Sequence, residues 1–429
     1  MAKGITGSKK GLARRFPFYY GWVMVPVAVI AQAVTGVGQT YGVSVFNPSL
    51  LDSLGLSLTA LSGAYMVGTI LASLPQSYIG SLMDRFGIKK TMIGIVILLG
   101  GACILFARVN SLVTLLVGFF LLRLLGQGGL SLLSGNIAAM WFREKLGTVT
   151  GIISSGFSIS MAVIPAFFLY LINLKGWRTA YTWLGFLVWL IMLPMLLLIF
   201  KNKPEDVGQI LDGGGEENPE IPGQQANSVY SFTTIEARKT TVYWIMMINS
   251  ALWAMIITAV FFNLLSIFEA LGISPGVAAA TYTTYAAASL ITQLVLGPAA
   301  DRGALQYMLL ACMTFLAAGI AVLSFSESPV LAHIYAVLIG ISTGLISLVG
   351  GTLFARYFGQ ENLGKLRGGV LTAQVAGSSL GPFITGVIYD LTGSFQISLW
   401  IFVAILIPAA LVSLKATRPP IPAGSSPEG

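Results

Sequence analysis

Arg123 sits in L-L-R-L-L-G-Q-G-G, deep in an apolar run, and Gln127, Ser131 and Ser134 follow it at i+4, i+8 and i+11. Tyr282, Tyr285, Ser289 and Gln293 fall at i, i+3, i+7 and i+11, and Gln32, Thr35 and Gln39 repeat the pattern near the start of the chain. On a helix each set forms one polar face. These groups exchange hydrogen bonds and, at Arg123 alone, supply a fixed charge, which is the chemistry of recognition rather than of bond making. Catalysis needs a cluster that this chain does not offer. The one histidine, His333, begins an apolar run and reads as an interfacial residue, while Cys103 and Cys312 stand alone in apolar runs as packing residues. Every acidic residue falls in a loop, a linker or the end of a run, with Glu269 and Asp390 coming nearest to the interior. No enzyme, no metal site and no cofactor is expected.

The elements that carry these residues must live in lipid. The chain is 55% hydrophobic and 9% charged, with a mean hydropathy of +0.83, too apolar for a water-soluble globule. Apolar runs cover about 20–46, 59–82, 91–108, 111–140, 148–172, 179–200, 241–269, 276–300, 306–325, 330–356, 365–390 and 394–415, each of membrane-crossing length. Without water to satisfy backbone groups such runs must be helical, so the fold class is an all-α membrane protein with twelve transmembrane helices. Polar residues of the second run, Ser62, Tyr65, Thr69, Ser73 and Gln76, are expected at a helix interface.

The net charge of +8 is not gathered into an aromatic-lined basic patch, so nucleic acid is not a partner. With the N-terminus placed in the cytoplasm, twenty of the 24 Lys and Arg fall on that side, and only Arg108, Lys175 and Arg178 fall outside. The positive-inside rule then puts both termini in the cytoplasm of a cell with this protein in its inner membrane. Residues 1–200 are expected as an N-terminal six-helix bundle and 241–415 as a C-terminal one. Between them 201–240, with its run of glycines at Gly213 to Gly215, has the composition of a cytoplasmic linker, and 416–429 form a cytoplasmic tail. The halves repeat each other. A-M-W-F-R-E-K-L-G-T-V-T-G from Ala139 is echoed by A-R-Y-F-G-Q-E-N-L-G-K-L-R-G from Ala355, and Gly80 to Arg85 by Gly297 to Arg302, an offset of 217 residues from Asp84 to Asp301. Two pseudo-symmetric bundles with a site between them are the architecture of a secondary transporter.

G-S-L-M-D-R-F-G-I-K-K, residues 80–90, matches G-x-x-x-D-R-x-G-x-K-K between the second and third runs, and the chain thereby resembles the major facilitator superfamily along its whole length. Gly80 lets helices approach, Asp84 accepts N–H groups at a neighbouring helix start and Gly87 turns the chain. The resemblance implies a gating latch at Gly80, Asp84, Arg85 and Gly87, with Asp301 and Arg302 as its second copy. Y-Y-G-W at Tyr19, Y-G-V-S-V-F at Tyr41 and K-G-W-R at Lys175 are similar to the monocarboxylate and oxalate–formate porter branch. That branch implies a cation in the eighth helix four residues before a glycine, and a second one in the eleventh. Gln293 and Gln374 stand there instead. An amide bonds without charge, so a neutral, zwitterionic or monoanionic solute held by Arg123 is expected, and dicarboxylates are not.

The function expected is a monomeric transporter that moves a small organic solute across the lipid bilayer by alternating access, with a monocarboxylate as one candidate. A ligand-binding sensor that does not transport is the alternative. Gln32, Thr35, Gln39, Arg123, Gln127, Tyr282, Tyr285, Ser289, Gln293, Gln374 and Ser378 are the expected cavity residues. With no carboxylate at the midplane, uniport or exchange is favoured over proton symport. Gly377 to Pro382 is a small-residue segment along which the bundles slide.

Overall fold

The computed structural model describes residues 19–142, 146–210, 232–302, 305–359 and 363–420. They form twelve spanning segments. Spans 1 to 6 cover 21–54, 58–86, Ile88–Phe106, 112–141, Leu146–Lys175 and 177–199. Spans 7 to 12 are Thr241–Ala270, Pro275–Arg302, Leu305–Ser324, Pro329–Phe358, Leu363–Thr392 and Phe395–Ser413. Ten of the twelve are long and apolar enough to cross a membrane by those criteria alone. The two exceptions have local causes. Span 2 bends at Leu74 and Pro75, which divides it into Leu58–Ser73 and Gln76–Phe86, because proline cannot continue the hydrogen-bond ladder. Span 8 is diluted by its tyrosines, threonines and Gln293.

Both described ends of this even-numbered bundle lie at one face, called here the terminal face, and the loops opposite it form the far face. Far-face helices start on serine caps. Ser57, Ser111, Ser328 and Ser394 accept N–H groups of spans 2, 4, 10 and 12 respectively, supplying partners to helix starts that would otherwise enter lipid unsatisfied. Leu190, Leu198, Leu294 and Leu411 are among the large apolar residues exposed on the outside, as a surface solvated by acyl chains requires.

Packing separates the spans into two bundles. Span 1 lies on span 5, span 2 on span 4 and span 3 on span 6, while span 7 lies on span 11 and span 10 on spans 8 and 9. The bundles meet where span 2 crosses span 11, where span 5 crosses span 8, and where the far half of span 1 reaches span 7. Residues 211–231, most of the expected linker, lie outside the described set. The short helix Thr234–Arg238 leads into span 7 from a capping box of Thr233 and Glu236.

Candidate functional site

Two spans of the N-terminal bundle lose their α-helical form at mid-depth. In span 1 the helix Gly21–Val34 passes into a 3₁₀ turn at Thr35–Gly38, and Gln39 is extended, with ψ 155°. A helix restarts at Thr40 and again at Asn47. In span 4 the helix Leu112–Leu122 widens to a π-helix over Arg123–Leu130 before resuming. Three glycines in R-L-L-G-Q-G-G-L and three in T-G-V-G-Q-T-Y-G lower the cost of leaving α geometry. The two irregular stretches press together. A Cβ at Gly38 would collide with the carbonyl oxygen of Leu122, and one at Gly126 would stand 3.0 Å from the Gly38 Cα.

Side chains take up the carbonyls that the break sets free, which backbone away from water demands. Arg123 donates from Nη1 to the Gly38 carbonyl at 3.3 Å and to Thr40 Oγ1 at 3.4 Å. Ser160 donates to the Ala33 carbonyl at 2.8 Å and Thr35 to that of Gln32 at 2.7 Å. The Arg123 guanidinium also lies 5.1 Å from the centre of the Tyr65 ring, whose hydroxyl is 2.7 Å from Thr40 Oγ1. Arg123 is only 2% exposed, and its Nε has no hydrogen-bond partner. Its partners among the described residues are a carbonyl, a hydroxyl and a ring face, with no carboxylate.

Beside Arg123 a cavity of about 620 Å³ opens between spans 2, 4 and 11. Its polar groups are Thr69, Ser73 and Gln76 of span 2, Arg123 and Gln127 of span 4, and Thr372, Ser378 and Ser379 of span 11. Of the residues expected around a cavity, Arg123, Gln127 and Ser378 come together here. Gln374 lines a neighbouring pocket of about 360 Å³ with Trp253 and Ser347, and Leu371 borders both spaces. Gln32, Thr35 and Gln39 bind inside the N-terminal bundle: Gln32 accepts from Ser134 at 2.7 Å, and Gln39 donates to Thr35 at 3.4 Å. Tyr282, Tyr285 and Ser289 are buried in the packing of span 8, and Gln293 donates to Ser289 at 3.2 Å.

The second-span residues Thr69, Ser73 and Gln76 face this cavity instead of a helix interface. The repeat offset carries the signal that finds them. It maps Gln293 onto Gln76 and Tyr282 onto Tyr65, so the polar face read on span 8 has a twin on span 2. The π-helix accounts for Ser134, since widening the turn rotates residues beyond it away from the face of Arg123.

Toward the far face the bundles close on each other. Ser44 Oγ lies 3.1 Å from the Tyr282 hydroxyl, Asn47 donates to the Phe262 carbonyl, and Thr283 donates to the Ala162 carbonyl at 2.6 Å. The Tyr65 and Phe262 rings meet at 4.4 Å between centroids, tilted by 44°. Asp390, at the end of span 11, accepts from the backbone N–H groups of Leu58 at 3.3 Å and Thr59 at 2.8 Å.

At the terminal face Gly87 turns the chain at φ 81°, and Arg85 is exposed, 5.2 Å from the ring centre of Phe86. A Cβ at Gly80 would meet nothing within 4 Å, so no close helix approach uses it in this conformation. The side chains of Asp84, Asp301 and Arg302 lie outside the described residues. His333 Nδ1 is 2.8 Å from Thr284 Oγ1. Cys103 and Cys312 are buried and free. Among the described residues no group of three His, Cys, Asp or Glu is placed to hold a metal ion.

The chain is 23% identical over 356 residues, 80% of its length and 82% of the relative's, to the uncharacterized MFS-type transporter YhjX of Escherichia coli (strain K12). It is 22% identical over 198 residues, 45% of each chain, to the oxalate:formate antiporter of Oxalobacter formigenes. Among solved structures, a bacterial homolog of the human lysosomal transporter Spinster, inward-facing and unoccupied, superposes with a TM-score of 0.73 at 15% identity, covering 96% of this chain and 98% of that one. The family model described as Major Facilitator Superfamily matches residues 28–270 and 242–429. With a match across both bundles, the chain belongs to the Major Facilitator Superfamily, and it is a membrane transporter by fold and by kinship.

Proposed function

We propose that this transporter carries a small organic solute by alternating access, from a site between spans 2, 4 and 11 where Arg123, Gln127, Gln76 and Ser378 converge. The solute is a monoanion such as a monocarboxylate, a zwitterion or a neutral molecule, and not a dicarboxylate. One observation carries the reading: bundles joined at the far face enclose a cavity on the other side of that seam, and its wall holds one buried guanidinium without a carboxylate partner among the described residues. A fixed cation in a low-dielectric wall favours one negative charge on the solute, and amides and hydroxyls orient the rest of it. With the termini in the cytoplasm of a cell with this protein in its inner membrane, as the Lys and Arg distribution favours, the conformation is inward-facing. The residues 1–200 and 241–415 then act as the two rocking bodies.

The relatives support a small organic acid as cargo but not the limit to one charge, since oxalate and sulfoacetate each carry two acidic groups. One carries oxalate and formate by name, and another, a probable sulfoacetate transporter of Cupriavidus necator, is 26% identical over 166 residues, 38% of each chain. The test is counterflow in proteoliposomes with labelled monocarboxylates, amino acids, neutral solutes and dicarboxylates. Exchange of at least one solute from the first three classes is expected. Dicarboxylates exchanging fastest overturns the charge argument.

A further inference from the structure

Most of the bonds that join the bundles at the far face are neutral, formed by hydroxyl, amide and carbonyl groups. Asp390 brings a charge. Its two oxygens take the first N–H groups of span 2, where donors lack carbonyl partners within the helix and the helix dipole is positive. A carboxylate of the C-terminal bundle therefore caps a helix of the N-terminal bundle. The two helices are also pressed together one turn away, for a Cβ at Gly386 would collide with Ser62 Oγ. Any motion that parts the bundles here must break this cap.

Resting on the alternating-access reading above, we propose that Asp390 is an electrostatic latch on the far-face gate, and that protonation from the outer medium releases it. Asp390 borders a pocket of about 730 Å³ built from both bundles. Asp52 of span 1, Glu269 of span 7 and the Tyr389 hydroxyl are the other titratable groups there, and no basic side chain lines it among the described residues. Arg178, a cation of the same face, is engaged elsewhere, donating to the carbonyls of Ala107 and Val109. Among the described residues no basic side chain of this pocket competes with the backbone for Asp390. Adding a proton removes the charge that the helix start attracts and weakens both bonds, which favours the outward-open arrangement in acid. The other seam lacks the device: the residue 217 positions earlier is Asn173, and the helix it would cap begins at Pro275, which has no N–H.

The test places spin labels at Ser53→Cys and Ser274→Cys, exposed far-face positions on opposite bundles, with both native cysteines buried. Distances are measured by double electron–electron resonance in lipid nanodiscs at about pH 7.5 and about pH 3, on either side of the titration of a carboxylate held by N–H donors. The long-distance population of the otherwise unmodified chain is expected to rise in acid. D390N is expected to favour it about tenfold at both pH values, as loss of a charge-assisted bond implies, with its pH response gone. D390E keeps the charge and is expected to keep the response. A D390N chain with unchanged distances, or one that still responds to pH, overturns the latch. The distances need no transported solute, so counterflow failing beside a normal pH response counts against the transport reading alone.

Discussion

The two halves of the molecule share one topology and differ in what they do with it at mid-depth. Spans 7 and 10 are unbroken 30-residue α-helices. Their counterparts in the first half, spans 1 and 4, carry the 3₁₀ break and the π-helix. At the offset of 217 residues, Arg123 and Gln127 correspond to Gly340 and Gly344. Those glycines bring span 10 onto span 8, since a Cβ at Gly340 would stand 2.6 Å from the Tyr285 carbonyl oxygen and one at Gly344 2.6 Å from Thr292 Cβ. The same place in the repeat serves close backbone packing in one half and a buried charge in the other. Duplication preserved the scaffold, and the polar machinery diverged within it.

That contrast is open to direct attack. Gly38→Val is expected to be the most damaging change, at about 3 kcal/mol of stability, because the new side chain has no space between spans 1 and 4. Met255→Val, at the matching position of unbroken span 7, is expected to cost less than about 1.5 kcal/mol. Unfolding by denaturant in detergent compares the two, and equal costs end the claim that the break is a special junction.

Arg123→Gln comes next. It is expected to cost about 2 kcal/mol by leaving the Gly38 carbonyl without its charged donor, and to abolish counterflow of a monoanion. Arg123→Lys keeps the charge but not the planar fork over Tyr65, so it is expected to restore little of either. Full rescue by lysine would reduce Arg123 to a point charge. The smallest effect separates the twin amides. Gln76→Leu is expected to raise KM about tenfold, and Gln293→Leu less than about threefold, since the first borders the cavity and the second bonds within its own helix. Equal shifts would place both halves symmetrically around the solute.

Much of this architecture is written in hydropathy. The runs expected at 241–269, 306–325 and 330–356 appear as Thr241–Ala270, Leu305–Ser324 and Pro329–Phe358, because lipid forces long apolar runs into helices. Arg123 stood out for the same reason, as a charge where few are tolerated. The break at Thr35–Gln39 did not, since T-G-V-G-Q is too short to interrupt a long apolar run and helical periodicity assumes one uninterrupted phase. For Gln32, Thr35 and Gln39 the polar face was legible, but Gln32 pairs with Ser134 of span 4, and Thr35 and Gln39 bond within span 1. The polar face of span 2 was legible as well, and what stayed hidden was its neighbour, span 11 of the other bundle, which only tertiary packing supplies.

The broken stretch of span 1 also gives the protein a built-in gauge of water entry. Amide hydrogens inside a continuous buried helix exchange with deuterium only when that helix opens, whereas the Gln39 amide is held by a single 3₁₀ bond of 3.2 Å to Gly36. Mass spectra of peptides covering Thr35 to Thr40 therefore report, against the unbroken spans 7 and 10, how often solvent reaches the centre of the membrane.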